Sequence, residues 1–128
     1  MLFFNDPVPI ENPELEAIRM ALAIQERFGE LTNMWRRRGL DIGLGIGVAA
    51  GYATLGRIGF EGRYDYGVVG PVANLAARLS GHARSGQTLV NQRLLSEIED
   101  VVDAVPVGEL ELKGFGRPVP AYELRGLR

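Results

Sequence analysis

No cysteine occurs among the 128 residues, which excludes a disulfide framework and any thiolate-bound metal centre and fits a reducing compartment. Histidine is nearly as scarce, with His82 the only one. A pair of catalytic histidines and a histidine-rich metal site are therefore excluded, and a Ser-His-Asp set could be completed only through that imidazole. Any metal would need carboxylates. Long apolar runs are missing too: glycine or a charged residue interrupts each well before the roughly 20 residues a membrane helix needs, and no basic region precedes the apolar N-terminus. Neither sign of charge is in large surplus, since 14 Lys and Arg stand against 16 Asp and Glu for a formal net charge of −2. That balance gives no general electrostatic reason to expect nucleic acid or an anionic membrane as partner. The G-x-x-x-x-G-K-[ST] sequence is absent as well, so a P-loop nucleotide site is excluded.

What is present, 46% hydrophobic and 23% charged residues, suffices for one soluble domain with a core, residues 1–128, and is too short for two. A cytoplasmic location is the expectation. "MLFF" reads as a strand entered almost without lead-in, an abrupt place for a domain to start. Asn12 as N-cap and Pro13 at the first helical position open a helix to about Arg38, with Ala17, Ala21, Ile24, Phe28, Leu31 and Trp35 as its apolar stripe and Gly39 as its stop. Arg36, Arg37 and Arg38 complement the dipole of the last turn and read as solvated cations rather than a nucleic-acid patch.

In "LDIGLGIGVAAGYATLGRIG", Ile42, Leu44, Ile46 and Val48 alternate with Gly43, Gly45 and Gly47, as in a strand with one core face and one bare face. A glycine face implies that another backbone, a helix or a ligand comes very close. Ala50-Gly51 predicts a tight reversal into a second strand through Tyr52 to Ile58. After a "GFEG" loop, Tyr64 to Val69 reads as a further strand. Pro71 starts a helix that Gly81 or Ser85-Gly86 would end. "QTLVN" is a short strand, "QRLLSEIED" a short helix, and the tail two strands joined through Gly114-Phe115-Gly116. Hairpins mixed with helices point to an α+β sandwich rather than a doubly wound sheet.

Two motif readings fail on context. Gly45 to Ala50 matches G-x-G-x-x-A, but these glycines lie within a strand instead of opening a helix, so the dinucleotide fingerprint does not apply. "KGFG", Lys113 to Gly116, copies the start of an RNA-recognition signature but continues into Arg117, Pro118 and Pro120 without the second aromatic platform. Lys113 is thus either a solvated turn lysine or a cation offered to phosphate. His82 reads as a polar helix-end residue. On the helix from Pro71, Val72, Leu75, Ala76 and Leu79 form the core stripe, which leaves Asn74 and Arg78 one turn apart on another side. Such a pair is common on exposed helices, and spacing alone assigns it no ligand.

The chain from Met1 to Leu127 resembles the nucleotide cyclase domain of the class III adenylyl and guanylyl cyclases, most closely the bacterial members. "MLFFNDPVP" is similar to the strand after the family's central hairpin, and "PELEAIRMALAIQERF" to its next helix. "LDIGLGIGVAAGYATLGRIG" resembles its glycine-rich hairpin, "YDYGVVGPVANLAARL" its signature, and "GELELKGFGRPVPAYEL" its closing strands. Five segments follow one another in the family's order. The resemblance implies a ferredoxin-like cyclase sandwich that dimerises with nucleotide at the interface, where the ribose 3′-hydroxyl attacks the α-phosphate of ATP, with GTP as the alternative, to give cyclic nucleotide and pyrophosphate. By the same resemblance, Asn74 orients the ribose, Arg78 stabilises charge developing at the α-phosphorus, and Lys113 holds the terminal phosphates.

Departures from the family pattern are equally informative. The two aspartates with which the family binds metal, and its purine-contacting lysine, match positions before Met1, so the Mg or Mn expected for the intact enzyme finds no family ligand in this chain. Gly67 matches the second purine-specifying position and has no side chain to read a base. Pro71 replaces a commoner Asp. The resemblance therefore implies the C-terminal part of a cyclase domain, its first strand and helices missing, inactive alone, and prone to associate or misfold because a sheet edge and apolar surface are uncovered. The alternative is a non-catalytic dimerising or regulatory module. A generic ferredoxin-like binding module would leave the ordered motifs unexplained.

Overall fold

Residues 12–40, 42–51, 54–60, 63–69 and 71–127 are described by the computed structural model, positions 54–60, 63–69 and 71 by their backbone alone. The expected "MLFF" strand, Tyr52 and Ala53 of the expected second strand, and Glu61 and Gly62 of the expected "GFEG" loop lie outside the described residues. Nine elements follow in order: α1 (Pro13–Arg37), β1 (Ile46–Val48), β2 (Thr54–Phe60), β3 (Arg63–Val69), α2 (Pro71–His82), β4 (Thr88–Asn91), α3 (Gln92–Ile98), β5 (Val102–Leu110) and β6 (Val119–Leu127). No described helix is long and apolar enough to cross a membrane.

Four strands form one sheet in the order β1-β4-β6-β5, with β1 and β4 parallel and the other pairs antiparallel. Because side chains alternate along a strand, Leu89 and Ala121 point to one face, and Val90 and Tyr122 to the other. On the first face Leu89 and Ala121 bury Leu79 of α2 together with Leu112. On the second, Val90, Val102 and Leu124 pack with Ile18 of α1 and with Leu94 and Ile98 of α3. The chain adopts the expected α+β class, with helices on both faces of this sheet.

Register in the β5–β6 pair shows how one strand serves both clusters. Ala104 pairs with Leu124 and Leu110 with Val119, with a register shift between Pro106 and Gly108. One unpaired residue reverses the alternation. Ala104 therefore packs on the α1/α3 side and Leu110 on the α2 side, although an unbroken strand would put both on one face.

Several local expectations are corrected. Asn12 flanks α1 in the left-handed region (φ 49°) and makes no side-chain cap; its backbone carbonyl accepts the first helical bond from the Glu16 amide at 3.1 Å. The buried positions of α1 are Ala17, Ile18, Ala21 and Thr32, whereas Leu31 of the expected stripe is 41% exposed and Ile24, Phe28 and Trp35 are only half-buried. The covered face carries polar side chains: Thr32 is buried, and half-buried Gln25 donates from Nε2 to the Leu44 and Gln87 carbonyls, so the inward stripe runs through Ala21, Gln25, Phe28 and Thr32 and leaves Leu31 outside. Phe28 and Trp35 instead meet edge to face, centroids 5.5 Å apart. Gly39 is the expected stop, in the left-handed region with its amide bonded to the Arg36 carbonyl while the Leu40 amide bonds to Trp35.

The glycine-rich strand is shorter than its alternation implies. Among the described residues, only Ile46–Val48 have a strand opposite them, Thr88–Val90, because the residues before Thr88 turn away at Ser85-Gly86. Leu44 is held outside the ladder, its carbonyl accepting from the Gly86 amide at 2.8 Å and from Gln25 Nε2 at 3.0 Å. Nor does Ala50-Gly51 fold β1 back onto β2. β1 takes β4 as its neighbour, and β2 pairs with β3 in a separate two-stranded antiparallel sheet. α2 continues through Gly81 to His82, which is exposed at the helix end as expected.

Asn91 ties this framework together. Buried to 8% exposure, its Oδ1 accepts from the Ala50 amide at 3.1 Å and from the Leu94 amide at 3.3 Å, and its Nδ2 donates to the Ala50 carbonyl at 3.0 Å. One side chain thereby caps α3 and closes the end of β1. Asn91→Ala would strand these groups and is expected to cost about 2–3 kcal/mol, read as a fall in the urea midpoint at unchanged slope. A loss below about 0.5 kcal/mol would contradict that role.

Candidate functional site

The amphipathic pattern of α2 decides what it presents. Leu79 is fully buried and Val72, Leu75 and Ala76 are half-buried, while Asn74 and Arg78 are exposed. The structure therefore places the pair as the periodicity predicts, one turn apart on the side away from the core.

How deeply α2 sits is set by the bare face of β1. A Cβ added at Gly47 would collide with the backbone nitrogen of Ser80 and come within 2.5 Å of the Ala76 carbonyl oxygen and 2.8 Å of the Leu79 carbonyl carbon. One added at Gly45 would lie 2.5 Å from the Ala83 carbonyl oxygen. Backbone thus lies directly on backbone, and the close approach that the alternating glycines imply is made by a helix. Ala76, Leu79 and Ser80 surround Arg78 in sequence, so the contact fixes the stretch of helix that carries it.

Lys113 lies on the β5–β6 connection, where the Phe115 amide closes a turn onto the Leu112 carbonyl at 3.1 Å. Gly114 occupies the left-handed region (φ 91°) that the third position of such a turn requires. Buried Leu112 and half-buried Phe115 anchor the turn in the same apolar cluster as Leu75 and Leu79 of α2. Lys113 itself is exposed.

A hollow of about 370 Å³ opens beside this turn, lined by Glu111, Leu112, Lys113, Phe115, Gly116, Arg117 and Pro118. Asn74 and Arg78 are not among its lining residues. The structure thus joins Lys113 to the Asn74–Arg78 helix through shared core residues, not within one cavity of a single chain. Gly67 lies mid-strand in β3, opposite Gly56 of β2, so the backbone pair at that point carries no side chain from either strand. Arg117, to which sequence reasoning assigned no role, also lines this hollow; its signal was a second cation just beyond the Gly114-Phe115-Gly116 turn.

Among the described residues no group of three or more His, Asp or Glu side chains is placed to hold a metal ion. The chemistry assigned to the described residues below is confined to binding, orientation and charge stabilisation.

Comparison with known proteins supports the family and the fold. Residues 4–126 match the family described as the adenylate and guanylate cyclase catalytic domain. The chain is similar to adenylate cyclase 1 of Rhizobium meliloti, 29% identical over 127 residues that make up 97% of this chain and 19% of that protein. Among solved structures it resembles the adenylyl cyclase CyaB from P. aeruginosa, with a TM-score of 0.85 and 32% identity over 98% of this chain and 66% of that one. The guanylyl cyclase Cya2 follows with a TM-score of 0.81 and 27% identity over 98% and 64%. The chain therefore spans about a fifth of the length of the Rhizobium relative and about two-thirds of the solved CyaB chain.

Proposed function

The chain belongs to the adenylate and guanylate cyclase catalytic domain family, and from that membership we propose that it supplies the transition-state half of a class III cyclase site converting ATP to cyclic AMP and pyrophosphate. The observation that carries the reading is the exposed Asn74–Arg78 pair on a helix whose depth is fixed by the glycine face of β1. Asn74 orients the ribose so that its 3′-oxygen meets the α-phosphorus. As that bond forms and the bond to the bridging oxygen of pyrophosphate breaks, Arg78 stabilises the charge on the equatorial oxygens, and Lys113 holds the terminal phosphates. Phosphoryl transfer gains mainly from such positioning and charge stabilisation, and a planar guanidinium serves both.

Residues 1–128 act in this reading as the C-terminal part of one cyclase domain, working in a homodimer or with another cyclase domain in the cytoplasm. The family dimerises and generally uses divalent metal; Mg or Mn is assigned to the intact enzyme, with ligands from residues other than those described. A site shared between two subunits accounts for Asn74 and Arg78 standing open to solvent rather than lining a cavity of one chain. Adenine is the assigned base because the Rhizobium and CyaB relatives are adenylyl enzymes. Gly67 contributes no side chain to that choice.

The test is complementation. This chain is mixed with a cyclase subunit that retains its metal aspartates but has lost its own transition-state arginine, and cyclic nucleotide is measured from ATP and from GTP. Product is expected from the mixture, with ATP preferred, and none from the chain alone. Association without product would instead support the non-catalytic dimerising module, and robust product from the isolated chain would overturn the half-site assignment.

A further inference from the structure

We infer that Arg117 is a second phosphate-binding cation, acting with Lys113 in the hollow beside the β5–β6 turn, so that the polyphosphate end of the substrate is held by a pair of charges; this rests on the nucleotide reading above. Lys113 and Arg117 both line the hollow, and so does Glu111. The carboxylate opposes any anion. With Lys113 alone the hollow would have no net charge, whereas two cations against one carboxylate leave it net positive. Arg117 therefore decides whether the hollow attracts phosphate.

The surroundings favour a preorganised pair. Both cations are exposed and, among the described residues, neither has a hydrogen-bond or ion-pair partner to give up on binding. Between them the backbone is pinned by the Phe115–Leu112 hydrogen bond and by the burial of Leu112 at 4% exposure, and Pro118 fixes φ immediately after Arg117. Holding the backbone of both donors in place lowers the ordering cost of engaging an anion. The two charges also differ in kind: an ammonium is a point charge, whereas a guanidinium can grip two oxygens of one phosphate.

Inorganic tripolyphosphate is the probe, titrated calorimetrically into the native chain at fixed ionic strength, with circular dichroism confirming the fold of each variant. Arg117→Ala is expected to weaken binding about five- to tenfold, Lys113→Ala by a similar factor, and Glu111→Gln to tighten it about threefold, magnitudes typical of exposed charge pairs. Arg117→Lys should recover part of the loss. An absence of tripolyphosphate binding by the native chain, or unchanged binding by a folded Arg117→Ala variant, would overturn the inference. A non-hydrolysable ATP analogue separates it from the nucleotide reading. If the analogue binds with dependence on Arg78 but not on Arg117, the inference fails and the nucleotide reading stands. If tripolyphosphate binding depends on Arg117 while the analogue neither competes nor responds to Arg78→Ala, the anion hollow stands and the nucleotide reading fails.

Discussion

Arg78→Ala in the complemented dimer is expected to lower the rate of cyclic AMP formation about 10³-fold while leaving the stability of the chain within about 0.5 kcal/mol. The two halves of this result have one origin. Arg78 is exposed and, among the described residues, has no hydrogen-bond or ion-pair partner, so the fold does not depend on it. On the proposed reading it contributes a planar guanidinium to charge that develops only during reaction. Its loss should therefore appear in kcat with a much smaller change in KM. Arg78→Lys keeps the charge but not the planar fork, and is expected to recover only a small part of the rate. Asn74→Ala, one turn away, should cost about 10²-fold through misplacement of the ribose. An Arg78→Ala mixture that retains kcat would remove the chemical role from α2.

Those features of the site that reside on one helix were legible in the sequence. Leu75 and Leu79 define the buried side of α2, and the positions of Asn74 and Arg78 then follow from about 100° of rotation per residue. The glycine alternation was legible in the same way, because three bare positions on one side of a strand demand a close neighbour, and Gly47 has it in the backbone of Ala76, Leu79 and Ser80. The β5–β6 hairpin was legible from its joining glycines, but the partner of β1 was not. Ala50-Gly51 has the composition of a reversal, but the neighbour of β1 is β4, supplied from beyond α2. Local turn chemistry has no information about such a distant partner. The stripe of α1 failed at Leu31 because the covered side of the helix there carries Thr32, a polar residue that apolar spacing passes over. Arg117 escaped notice because its meaning depends on Glu111, a charge balance that exists only once the turn brings both to one hollow.

Gly47→Ala should destabilise the chain by about 2–3 kcal/mol, near the upper end of the usual overpacking range, and lower the melting temperature by roughly 10 °C. A single methyl has this effect because the atoms in its way are the Ser80 nitrogen, the Ala76 carbonyl oxygen and the Leu79 carbonyl carbon, which belong to helix backbone and cannot rotate aside as a side chain would. Relief requires α2 to lift from β1. That movement loosens Leu79, fully buried between α2 and the sheet, and carries Asn74 and Arg78 with it. A displacement of about 1 Å at a reacting group costs about 10²-fold in rate, so the protein that remains folded should lose complementation by that factor although no site residue has changed. Gly29→Ala provides the control: Gly29 lies within α1 with nothing within 4 Å of an added Cβ, and the substitution should stabilise by about 1 kcal/mol and leave complementation intact. A Gly47→Ala variant as stable and as active as the native chain would show that the glycine face of β1 does not set the position of Asn74 and Arg78.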